Sequence, residues 1–89
     1  MSAATVTQAY LLGIRDERAL MREMQARGEY DPAIDAPAML ASVQRTKARG
    51  FSGDMAEYMR GGIDFWRGQV AKLKRAQAKD KKAIEALSK

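Results

Sequence analysis

At 89 residues, 46% hydrophobic and 30% charged, the chain is long enough for one small domain and too apolar for a fully disordered one. It has no cysteine and no histidine, which excludes disulfide staples, Cys-ligated zinc and the usual Ser-His or Cys-His nucleophiles. Its net charge of +5 comes entirely from one end: Met1 to Ala71 carries nine Lys/Arg and nine Asp/Glu, whereas Lys72 to Lys89 carries seven Lys/Arg against Asp80 and Glu85.

The opening MSAATVTQAYLL has neither a basic n-region nor a long apolar core, so it does not read as a signal peptide. No apolar run approaches the roughly 20 residues that cross a bilayer. The expectation is a cytoplasmic protein that does not enter a membrane.

Thr5-Val6-Thr7-Gln8 resembles a capping box, in which a Thr hydroxyl takes an orphan N–H and a Gln three residues on reaches back. From there Val6, Tyr10, Ile14, Leu20, Met21 and Met24 recur at helical intervals, with Leu11 widening the stripe, until Gly28 offers a left-handed stop. This predicts a first helix over 6–27, about 33 Å long at about 1.5 Å per residue. Its charges, Arg15, Asp16, Arg18, Arg22, Glu23 and Arg27, fall mostly off the stripe and should face solvent.

Glu29 to Pro37, EYDPAIDAP, reads as a connection, because two prolines interrupt a helix and push the preceding residues toward extended geometry. Tyr30 and Ile34 should pin it to the body. A second helix is expected over 36–49, capped by Asp35 or Ala36, with Met39, Leu40 and Val43 on its buried side. Gly50 ends it, and Phe51 sits where it can complete a Schellman contact and staple onto Ala56.

The third helix starts at Ser52, and the spacing then becomes regular. Ala56, Met59, Ile63, Trp66, Val70, Leu73, Gln77, Asp80, Ile84 and Leu87 alternate steps of three and four, a heptad seam with two polar positions. A second stripe of Met55, Tyr58, Gly62 and Phe65 runs beside it through the first half only, as in a central helix with neighbours on two sides. Residues 53–73 match the first helix in length. Residues 74–89 exceed what the body can accommodate and must project, fray or pair with another chain.

Gly61, Gly62 and Gly68 each cost roughly 1 kcal/mol relative to Ala in a helix. Three readings account for them: a close crossing with the first helix at its own Gly13, a partner backbone seated on Gly61 and Gly68, or a break at Gly61-Gly62.

Two surfaces stand out as candidate sites. Met55, Tyr58, Met59, Ile63, Trp66, Val70 and Leu73 offer more apolar surface than two other helices need, so a second copy or a target protein is expected to cover part of it. Lys72, Lys74, Arg75, Lys79, Lys81 and Lys82 can neutralise nucleic-acid phosphates, or serve only as a solubilising helical end. The paired carboxylates Asp16/Glu17 and Asp31/Asp35 have no companion cleft signal. The sequence holds no catalytic residue set, no cofactor motif and no Asp-rich calcium loop.

The segments YLLGIRDERALMREM and GFSGDMAEYMRGGIDFWRGQVAKL resemble small accessory proteins of tailed bacteriophages and prophages of Gram-negative bacteria, over most of residues 10–73. That resemblance implies a protein acting in the host cytoplasm by binding and modulating a host or defence protein, and it carries no site residues. The expected fold is all-α: an antiparallel hairpin of two long helices around a short one, with a basic C-terminal extension over 74–89. The expected function is non-enzymatic protein binding, as a homodimer through the third helix. The alternative is a small DNA- or RNA-binding protein using the tail.

Overall fold

A computed structural model describes residues 6–88, and over these the chain is all-α, without a strand. Helix α1 spans Gln8–Ala26, α2 Pro32–Lys47 and α3 Gly53–Leu87. The two long helices form the hairpin with α2 between them in sequence. α1 and α2 each pack on α3, with no close backbone approach between themselves.

Local chemistry sets each boundary. The capping box proposed at Thr5 lies outside the described residues; Thr7 caps α1, its Oγ1 accepting from the Tyr10 N–H at 3.1 Å. At the other end Gly28 takes φ +70°, Glu29 N–H reaches the Met24 carbonyl and Gly28 N–H that of Gln25, which together make a Schellman stop.

The expected start of α2 at residue 36 is corrected by the structure. Asp31 caps the helix with its side chain on the Ala33 N–H, and the Asp35 carboxylate returns to the Asp31 N–H at 2.8 Å. Pro32 stands at the first helical position, where its missing N–H costs nothing. Pro37 is inside the helix, on its exposed side, and forfeits one backbone bond. The reciprocal Asp31/Asp35 cap and the complete burial of Ala36 against the core offset that loss. Tyr30 does pack inward, but Ile34 is 67% exposed and pins nothing.

α2 ends at Lys47, and Gly50 at φ +93° turns the chain away from it. Phe51 stays largely exposed rather than closing a hydrophobic cap. Ser52 is the N-cap of α3, but its hydroxyl makes no capping bond. From Gly53 α3 runs unbroken through Gly61-Gly62.

The core is built around Trp66, which is 0% exposed. Phe65 meets it edge-on at 5.0 Å between ring centroids, and Tyr30 at 6.4 Å. Ile14 and Met21 approach from α1, Met39, Leu40 and Val43 from α2, and Val70 from the next turn of α3. From Lys74 onward every described residue of α3 is exposed, so the helix projects beyond the body. The radius of gyration is accordingly 16.2 Å, against about 12 Å for a compact chain of this length.

Candidate functional site

Small residues decide what the body can cover. A Cβ on Gly13 would overlap the carbonyl oxygen of Tyr58, and one on Gly61 would overlap that of Tyr10, so α1 and α3 touch backbone to backbone. This is the close crossing expected from Gly13 and Gly61. Gly68 has open space around it. Because the helices meet this closely, side chains on both flanks of the crossing reach across.

Tyr10 Oη donates to Asp64 Oδ2 at 2.6 Å, and Tyr58 Oη donates to Asp16 Oδ2 at 2.5 Å. The two bonds are reciprocal: Tyr10, Gly13 and Asp16 on α1 recur with the same spacing as Tyr58, Gly61 and Asp64 on α3. A local twofold axis through the glycine contact exchanges the two Tyr-x-x-Gly-x-x-Asp boxes. It also exchanges the contact of Trp66 Nε1 with Glu17 Oε1 at 3.1 Å for that of the Arg18 guanidinium, 5.9 Å over the Phe65 ring.

The bond to Asp16 pushes the Tyr58 hydroxyl up to about 12, with burial adding to it, and the same bond, assisted by Arg15, lowers Asp16. The bond to Asp64, followed by burial, raises Tyr10. Arg60 lies 4.3 Å over the Tyr10 ring and holds Glu57 through two bonds, which lowers that carboxyl. Asp16 and Glu17 thus serve as acceptors for α3, although Asp16 keeps its solvent-facing side as its place off the apolar stripe implies. The repeated Tyr/Gly/Asp spacing was the signal for this.

The candidate interface residues separate into three groups. Ile63, at 6% exposure, and Trp66 are enclosed by the chain's own helices and present no surface to a partner. Met59 and Tyr58 are half-buried, both lining a cavity among the three helices, and Met55 is 49% exposed in an open groove with Leu12 and Tyr58. Val70 borders the core and Leu73 is half-exposed where the arm begins.

The seam then continues uncovered to Ile84, 64% exposed, and Leu87, 87% exposed. At about 100° per residue, Leu73, Gln77, Asp80, Ile84 and Leu87 share one face of the arm. Arg75 and Lys82 stand opposite that face with Lys72 and Lys79 on the adjoining flank, and Lys74 and Lys81 lie on the other flank. All six of these candidate cations are exposed.

Among the described residues no group of three or more acidic side chains stands close enough to hold a metal ion, and no helix is long and apolar enough to cross a membrane. Comparison with protein-family models, curated proteins and solved structures finds no match to this chain.

Proposed function

We propose that the chain is a non-enzymatic protein-binding module that self-associates through the projecting half of α3. The observation that supports this is the uncovered seam: Ile84 and Leu87 continue the register of Ile63 and Trp66 but have no covering helix among the described residues. A second copy supplies the same seam in return, which is what a twofold contact requires. Asp80 sits within this face as a polar position that sets register at a cost in affinity.

The phage resemblance of residues 10–73 supports a host or defence protein as the further target, met by the paired form through Met55, Leu12 and the surface around them. Light scattering on the full chain at micromolar concentration tests the self-association. Dimers are expected, monomers after Ile84→Asp/Leu87→Asp, and tighter dimers after Asp80→Leu. A monomer under all three conditions sinks the reading.

A further inference from the structure

We propose that the groove between α1 and α3 and the basic face of the arm form one continuous track for the phosphate backbone of duplex nucleic acid. The groove, about 440 Å³, is lined by Arg18 and Arg22 of α1 and by Phe65, Gly68, Gln69 and Lys72 of α3. Its one carboxylate, Asp64, is already engaged by the Tyr10 hydroxyl. Among the described residues the ion pairs are Arg15–Asp16, Arg27–Glu23 and Arg60–Glu57, so Arg18, Arg22 and Lys72 keep their charge for a ligand.

The face of α3 that floors the groove continues down the arm. Phe65, Gly68, Lys72, Arg75, Lys79 and Lys82 follow at steps of three or four residues along about 26 Å of helix, and the four cations from Lys72 to Lys82 stand about 5 Å apart over about the last 15 Å. One strand of a duplex presents a phosphate about every 3.4 Å along its axis, so the cationic stretch of the arm faces about four, and Arg18 and Arg22 extend the contact on the body side. With Arg18 and Arg22, six cations border it. Gly68 leaves the groove floor free of side-chain bulk.

The chemistry of the face selects the ligand. Phe65 is buried, and Tyr10, the groove's other aromatic, has its hydroxyl on Asp64 and the Arg60 guanidinium over its ring, so neither offers bases a free stacking platform of the kind single strands use. Neither the groove lining nor the cationic positions of the arm include an exposed large apolar side chain, so an anionic bilayer would find nothing there to take up. Phosphate contacts alone give binding that is insensitive to base sequence and steeply dependent on salt. The track leaves the seam clear for self-association, because it runs along the back and one flank of the arm.

Anisotropy of a fluorescein-labelled duplex of about 20 base pairs, titrated with the full chain, tests this; affinity should fall about a thousandfold between 50 and 200 mM salt if six phosphates are engaged. Arg18→Gln/Arg22→Gln and Lys72→Gln/Lys79→Gln should each weaken binding at least tenfold. Lys74→Gln/Lys81→Gln removes the same charge from the other flank and should change it less than threefold. Unchanged far-ultraviolet dichroism and Trp66 emission confirm that each variant is folded. Absence of binding at 50 mM salt overturns the proposal, as does an equal loss from the Lys74/Lys81 pair or no loss from the α1 pair. Tighter binding to phosphatidylserine vesicles than to the duplex also overturns it, in favour of a membrane surface.

Discussion

The two halves of α3 share one helix and one repeat but have opposite environments. Over residues 53–73 the repeat is covered by α1 and α2 and its largest side chain, Trp66, is sealed. Over residues 74–87 the same spacing has no partner among the described residues. Periodicity therefore specifies which face of a helix is apolar, and the neighbours alone decide whether that face becomes core or contact surface.

Breaking the first half should have the larger effect. Trp66→Ala removes the centre of the core and leaves Glu17 without its indole partner; a loss of about 3–5 kcal/mol is expected in urea denaturation, a large share of the stability of so small a domain. Gly61→Ala comes next, at about 1–3 kcal/mol, because the new methyl meets a carbonyl that α1 cannot withdraw without unseating. Gly68→Ala, one arm-ward step along the same helix, should have the opposite sign and gain up to about 1 kcal/mol from helix propensity. If both alanines stabilise, the close crossing does not exist in solution.

The arm should respond weakly. Ile84→Ser and Leu87→Ser are expected to change monomer unfolding by less than about 0.5 kcal/mol, measured at concentrations too low for dimers. A cost above about 1.5 kcal/mol for either would show that the arm folds back onto the body.

The smallest effect is a titration. Tyr58 favours its hydroxyl form in the folded chain, so its contribution is complete below the ordinary value of 10.0 and lost as pH rises from there to about 12. Tyr10 is raised in the same sense by its bond to Asp64, and Tyr30 by burial. Tyrosinate absorbance should therefore lag behind that of free tyrosine, and Tyr58→Phe should remove the part of the alkaline stability loss that the Asp16 bond creates.

Much of the fold was legible in the residues. Three helices in order, the stop at Gly28 and the turn at Gly50 follow from local geometry that a given side chain permits or forbids, whereas the close crossing at Gly13 was one of three readings that the glycines left open. The start of α2 was not legible, because two prolines look like a break until the Asp31/Asp35 cap is seen to hold the first turn together. The contact surface was only half legible. Trp66 and Ile63 looked like surplus because apolar side chains were weighed against the number of covering helices, whereas the glycine crossing brings α1 close enough for two helices to suffice. The Tyr and Asp pairs were hidden by distance in sequence and showed only as a repeated spacing.

The seat of α1 on α3 has a mechanical side. Side chains that separate two helices can change rotamer and let the crossing angle drift, but carbonyl against glycine leaves no such slack. From Gly61 to Leu87 the helix is about 39 Å long, so a tilt of about 10° at the crossing would swing the tip by about 7 Å. Gly13 and Gly61 thus act as a fixed fulcrum: they aim the arm, and they hold its seam and its cations at a set angle to the body that carries it.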